Sequence, residues 1–170
     1  PADVIVPTYL PDIPECREEL AKYYMSTQRA DAGLVRLMEL LKEAGHWDDT
    51  LIVYISDNGI AFPGAKTTLY EPGMRLPCVM RNPFAETKGV TSRAMITGAD
   101  ITPTLLDFAG ILSADDLAPS VELPDPIRFN DRIPRNTKLH GRSVLPVLDE
   151  ESPAGWDEIY ASHTFHEIYM

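Results

Sequence analysis

The stretch Leu51-Ile52-Val53-Tyr54-Ile55-Ser56-Asp57-Asn58-Gly59, followed by a lone lysine at Lys66, changes character halfway along. Its first five residues are bulky and β-branched or aromatic, without alternation, which suits one strand covered on both faces, as in the parallel sheets of α/β proteins. It then stops abruptly in oxygen-bearing side chains. Ligands of open α/β sheets gather at the carboxyl ends of strands, so Asp57 and Asn58 stand where chemistry is usually placed. Asp-Asn-Gly also reads as a tight turn that uses the left-handed tolerance of Asn and Gly. Local spacing leaves both readings open.

Composition bounds the alternatives. A chain of 170 residues with 44% hydrophobic content can form one domain with a substantial core. Asp and Glu number 26 against 15 Lys and Arg, a formal charge of −11, which opposes non-specific attraction to nucleic acid or to anionic membranes. No apolar run approaches the roughly 20 residues needed to cross a bilayer. The first residues, Pro1 to Pro7, carry neither an initiator Met nor a signal peptide, so the chain is expected to be a processed or excised piece. Cys16 and Cys78 have no metal spacing and no disulfide framework, and read as buried thiols.

Outward from the strand, residues 1–11 form an extended leading segment. A helix follows, with Asp12 and Glu15 at capping-box spacing, Pro14 in the first turn and Gly45 as terminator after Ala44. Leu20, Tyr23, Tyr24, Thr27, Asp31, Leu34, Met38 and Leu41 recur at helical spacing, and predict one stripe facing the sheet. Asp31 interrupts that stripe and is expected to bond to a neighbouring loop, and Gly33 to mark close packing. His46 to Thr50 is a short polar connection, in which His46 reads as a helix-end surface residue.

Ile60 to Arg75, with Pro63, Gly64, Pro72 and Gly73, is a loop of functional length carrying Lys66. Leu76 to Met80 reads as a second strand, with Pro77 at its start or on an edge. Asp100 caps a third unit in which Ile101, Leu105 and Phe108 share a face, Pro103 lies in the first turn and Gly110 closes the helix. Residues 111–138 read as a long irregular excursion, Leu139 to Leu148 as a compact apolar segment, and Trp156 to Ser162 as a last strand ending in His163 and His166.

Asp57 and Asn58 offer hard oxygen ligands, which suit Ca²⁺ or Mg²⁺ better than zinc. Calcium takes about 6 to 8 oxygens, so further ligands must come from elsewhere. Lys66, nine residues past Asp57 on a loop rooted at the same strand end, can place its ammonium on an anion at that metal. If the last strand runs parallel to the first, His163 and His166 face the same crevice.

Ile55-Ser56-Asp57-Asn58-Gly59 and then Lys66-Thr67-Thr68-Leu69-Tyr70-Glu71-Pro72-Gly73-Met74-Arg75-Leu76-Pro77 resemble the second half of the sulfatases of the alkaline phosphatase superfamily. Tyr23-Tyr24 with Asp31, Asp100-Ile101-Thr102-Pro103-Thr104-Leu105-Leu106 and His140-Gly141-Arg142-Ser143 are similar to that family in the same order. Phe62-Pro63 and the ending Ser162 to Met170 resemble its sulfamidase or heparan N-sulfatase-like branch.

The resemblance implies an alkaline phosphatase-like α/β fold: a partial doubly wound sheet of mostly parallel strands flanked by helices, with residues 1–170 as the carboxyl-side part of one catalytic domain. It also implies Asp57 and Asn58 as ligands of a calcium ion, Lys66 as a catalytic contact to sulfate, and His166 with His163 in the substrate pocket. The substrate would be a sulfated small molecule or saccharide. Sulfatases use a formylglycine made in a Cys/Ser-x-Pro/Ala-x-Arg motif, which neither Cys16-Arg17-Glu18 nor Cys78-Val79-Met80 matches. That nucleophile and the remaining metal ligands are expected in an amino-terminal half outside this chain, which alone is expected to be inactive. The alternatives are a metal-dependent phosphoester or phosphonate hydrolase of the same superfamily, or a catalytically silent fragment. The resemblance alone suggests a periplasmic, secreted or lysosomal setting.

Overall fold

In a computed structural model of the chain, which describes residues 1–117 and 138–162, the long helix α1 spans Pro14–Glu43. Pro14 opens it because a helix's first N–H has no partner to lose. The cap differs from the expected box. Ile13 is the N-cap and makes no side-chain bond, while the Asp12 carboxylate accepts from Arg17 Nη2 at 2.8 Å. That hydrogen bond holds the Asp12 carboxyl below the usual carboxylate range. Arg17 Nη1 also donates to the carbonyls of Ala2 and Val4, at 3.3 and 3.2 Å, and fastens the leading segment to the helix. At the other end Gly45, at φ 77°, donates to Lys42 O and His46 donates to Leu41 O, a Schellman closure.

The chain divides into two compact units, one holding Pro1–Phe84 and the other Ala85–Tyr160. In the first, the core is small. Val4, Leu10 and Leu20 are buried together, with Val6, Cys16, Ala21, Ile60 and Phe62 packed around them, and Leu20 is only 1% exposed. Tyr24 Oη donates to Ile5 O at 3.1 Å, so the leading segment lies along the helix. The expected apolar stripe is interrupted: residues 22–33 are all exposed, and Leu34, Met38 and Leu41 are half-buried. None of the described elements covers the middle of α1, and the helix packs on neither strand. Its backbone there rests on intrahelical hydrogen bonds and on exposed pairs such as Lys22 with Glu18 and Glu19, each a weak contributor. The Asp31 side chain is therefore in solvent and makes no hydrogen bond among the described residues, and a Cβ added at Gly33 would meet nothing within 4 Å. Neither residue serves packing.

The strand read from the sequence is β1, Ile52–Ile55, and it pairs with β2, Cys78–Arg81, with Ile52 opposite Arg81 and Ile55 opposite Cys78. The pairing is antiparallel, so the expected doubly wound sheet of mostly parallel strands is not seen among the described residues. A parallel partner needs a crossover to the far end of the first strand. Residues 56–77 instead fold back at the end where β1 stops, so β2 starts there and must run the other way. Burial on both faces also fails, since Ile55 is exposed and Val79 is 64% exposed. Pro77 precedes the strand and contributes only its carbonyl, which accepts from Ser56 N at 3.3 Å. Cys78 is exposed and Cys16 half-buried, so only Cys16 approaches the expected buried thiol.

The connection from α1 to β1 is clasped by Trp47. Its ring lies 4.6 Å from Lys42 Nζ and 3.7 Å from the Arg81 guanidinium, and Arg81 Nη1 donates to Trp47 O at 2.7 Å. His46 is on the surface as expected, with Nδ1 3.0 Å from Asp49 Oδ2.

In the second unit a 3₁₀ turn, Gly98–Asp100, leads into helix α3, Ile101–Phe108. Asp100 is the N-cap residue of α3, as expected, but its side chain makes no capping bond to that helix. It closes the preceding 3₁₀ turn with Thr97, whose N donates to Asp100 Oδ2 at 2.7 Å while Ala99 N donates to Thr97 Oγ1 at 3.2 Å. Asp100 is 6% exposed, and its other oxygen accepts from Arg142 N at 2.9 Å. Thr104 Oγ1 donates to Asp100 O at 2.6 Å and accepts from Val144 N at 3.1 Å. Pro103 and Thr104 are the buried residues of α3, whereas Leu105 is exposed, so the inward face differs from the Ile101–Leu105–Phe108 face read from spacing. Gly110, at φ 69°, ends the helix as expected.

The compact segment after Leu139 packs through Gly141 and Val144, both buried, and Arg142 lays its guanidinium 3.6 Å from the Trp156 ring. Trp156 to Ser162 is not a strand: Met95 N donates to Trp156 O at 2.7 Å, but no ladder forms, and Tyr160 is exposed. Of the excursion at 111–138, Leu117 bridges to Leu139, and residues 118–137 lie outside the described residues. Among the described residues no helix is long and apolar enough to cross a membrane.

Two glycines make opposite predictions. A Cβ at Gly141 would stand 2.1 Å from Ala99 O, so Gly141→Ala should destabilise the protein by at least about 1–3 kcal/mol. Gly33→Ala, in open helix, should stabilise it by up to about 1 kcal/mol. Urea denaturation midpoints check both, and a shift of the same sign in the two variants would contradict this packing.

Candidate functional site

At the end of β1 the backbone does not make the tight left-handed turn that Asp-Asn-Gly permits: none of Asp57, Asn58 and Gly59 has a positive φ. Gly59 is required for another reason. A Cβ there would lie 2.3 Å from Pro72 O and 3.0 Å from Gly73 Cα, because the far arm of the lysine loop passes directly over it. Glycine permits that approach.

The same loop closes on itself at Gly73, where a Cβ would lie 2.4 Å from Thr68 O and 2.5 Å from Ala65 O. Its near arm is rooted in the core by Ile60 and Phe62. Lys66 N donates to Ile60 O at 3.1 Å, Ala65 N to Phe62 O at 3.2 Å, and Thr68 N to Ala65 O at 3.1 Å, with Ala65 fully buried. The short helix α2, Glu71–Met74, with Pro72 in its first turn, then delivers the chain to β2. This folding carries the backbone of Lys66 back beside the residue that follows Asp57-Asn58-Gly59.

Asp57 is exposed and Asn58 half-buried. Asn58 Nδ2 donates to Gly59 O at 2.9 Å, which occupies the donor side of the amide and leaves Oδ1 as an acceptor. Ser56 Oγ donates to Asn58 O at 2.8 Å and steadies the turn. The Asp57 carboxylate makes no hydrogen bond among the described residues. Two adjacent, uncommitted oxygen donors fit part of the shell of a hard cation and are unsuited to a thiolate or imidazole site. Among the described residues no group of three or more His, Cys, Asp or Glu side chains is placed to hold a metal, so these two supply a fraction of such a shell. The Lys66 side chain is exposed and makes no ion pair among the described residues, so its ammonium is available to an anion. His163 and His166 lie outside the described residues.

Residues 6–111 match the model of the Sulfatase family. The chain belongs to the sulfatase family. Over its whole length it is 34% identical to N-sulphoglucosamine sulphohydrolase of Homo sapiens, of which it covers 31%. It is 33% identical over 156 residues, 87% of the chain, to N-acetylglucosamine-6-O-sulfatase of Bacteroides thetaiotaomicron, of which it covers 24%. An ulvan-active sulfatase of Formosa agariphila is 30% identical over 122 residues, 65% of this chain and 24% of that protein. The chain thus spans about a quarter to a third of the length of these relatives.

Sulfatases have an alkaline phosphatase-like α/β fold, hydrolyse sulfate esters and are generally metal-dependent. The sulfatase match contains Asp57, Asn58 and Lys66, whereas His163 and His166 fall beyond it. Sequence reasoning did not single out Thr67, which takes φ 61° within the loop; a β-branched residue carries no local signal for that conformation.

If the loop is held by close backbone contact, Gly73→Ala should spring it from the end of β1. Trypsin cleavage after Lys66 should then accelerate by about tenfold or more, as expected for a loop that opens more readily. Unchanged cleavage would mean that the glycine contact does not restrain the loop.

Proposed function

We propose that this chain is the carboxyl-side part of the catalytic domain of a sulfuric ester or sulfamate hydrolase acting on a sulfated saccharide. The observation that carries the reading is the lysine loop folded back on the end of β1, with the uncommitted oxygens of Asp57 and Asn58 beside its root and the Lys66 ammonium unpaired. Asp57 and Asn58 would ligate a calcium ion, and the family's general metal dependence supports a cation there. An amide oxygen favours calcium over the transition metals of phosphoester hydrolases. Calcium would supply positive charge to the sulfuryl oxygens.

Lys66 is proposed to contact the sulfate and neutralise charge on its oxygens as the transition state forms, an electrostatic role placed on a preorganised loop. His163 and His166 are proposed to line the saccharide pocket. The human and Bacteroides relatives, both named for glucosamine derivatives, support an amino sugar as the substrate class. The formylglycine nucleophile and the remaining metal ligands are proposed to lie in an amino-terminal half, without which the chain is inactive.

That half would also complete the sheet. A two-stranded sheet alone is marginally stable in water. The exposed Ile55 and Val79, and the uncovered middle of α1, are the surfaces that a doubly wound sheet of mostly parallel strands would cover.

In the full-length protein carrying this chain, Lys66→Ala should lower kcat/KM for 4-nitrophenyl sulfate, or for N-sulfoglucosamine if the linkage is a sulfamate, by on the order of 10² or more. Asp57→Asn should weaken calcium binding measured by titration calorimetry. Wild-type turnover by the lysine variant would rule out the assigned role.

A further inference from the structure

Thr67 is, among the described residues, the non-glycine residue with a positive φ, at 61°. Left-handed backbone is sterically unfavourable for any residue with a Cβ and most of all for a β-branched one. Nothing in the Thr67 side chain repays it, because that side chain is exposed and makes no hydrogen bond among the described residues. The conformation is imposed from both sides. Before it, Lys66 N is tied to Ile60 O at 3.1 Å and Ala65 is fully buried. After it, Thr68 Oγ1 donates to Ala65 O at 2.8 Å and accepts from Tyr70 N at 3.4 Å, and Gly73 closes against Thr68 O. Strained backbone of this kind persists only where its surroundings over-determine it, and it concentrates at ligand clamps.

We propose that Thr67 is a positioning residue for Lys66, whose strained left-handed backbone sets how much of the time the Lys66 ammonium is presented to an anion at the end of β1. The inference rests on the anion-contacting role proposed for Lys66. Relaxation of residue 67 to a negative φ turns the peptide that joins Lys66 to Thr68 and withdraws Lys66 from its place over Ile60. The strain therefore biases the loop against the presenting arrangement and weakens anion binding by the fraction of molecules withdrawn. Such a loop holds sulfate less tightly than an unstrained one would, which suits a site that must release sulfate as product.

The experiment measures inhibition of 4-nitrophenyl sulfate hydrolysis by inorganic sulfate in the full-length protein. Thr67→Gly and Thr67→Asn, which accept the left-handed conformation readily, should tighten sulfate inhibition by up to about twofold and raise the Tm. In a Lys66→Ala background, Thr67→Gly should leave sulfate affinity unmoved, because Thr67 acts through Lys66. Unchanged or weaker sulfate inhibition in Thr67→Gly, with Lys66→Ala still impaired, overturns the role of Thr67 alone. Tightening that survives Lys66→Ala overturns it too. If Lys66→Ala alters neither turnover nor sulfate inhibition, the lysine reading fails and this inference with it.

Discussion

The carbonyl of Pro72 stands where a side chain at residue 59 would have to be, and the candidate site depends on that exclusion. Because Gly59 and Gly73 have no Cβ, a loop of some fifteen residues folds flat over the end of β1 instead of projecting into solvent. The consequence is topological as well as local. By returning to the end of β1 where it began, the loop makes β2 antiparallel to β1, and its near arm ties Lys66 N to Ile60 O, the residue after Asp57-Asn58-Gly59. One backbone contact thus joins the direction of β2 to the path of the loop that carries Lys66.

The rest of the first unit holds the root of that loop. Leu20 of α1, gripped by Val4 and Leu10, also touches the cluster to which Ile60 and Phe62 belong, so the leading segment, the helix and the near arm share one small core. The Trp47 clasp does the same for β2, through Arg81. The loop is thus anchored at its root by Ile60 and Phe62, while Asp57 and Lys66 stay exposed. Asp100 has a different task. It resembles a family landmark, yet it is buried and fully engaged by Thr97 and Arg142, with Gly141 pressed against Ala99. Two stretches that matched a functional family in sequence therefore form a structural knot, and a conspicuous carboxylate is not thereby a site.

Local chemistry was legible wherever a residue's own conformational preference sets the outcome. Pro14 began α1, and Gly45 and Gly110 ended helices, because each is decided by its own φ and by the carbonyls of the preceding turn. What failed were inferences that needed a partner. Asp31 lacked the loop that spacing promised, Gly33 lacked the neighbour, and Trp156 to Ser162 lacked a strand to pair with. Periodicity states which residues share a face, but not what that face meets.

The sequence by itself determined the family, the start of α1 at Pro14, the helix ends at Gly45 and Gly110, and the hard-oxygen and ammonium character of Asp57, Asn58 and Lys66, since residue chemistry and its order along the chain suffice for these. Only the tertiary structure decided that the turn after β1 is not left-handed, that Gly59 and Gly73 serve backbone contact, that the strands run antiparallel, and that Thr67 carries the strain beside Lys66. Each of those is set by atoms far apart in sequence competing for one place, and a linear pattern holds no record of that competition.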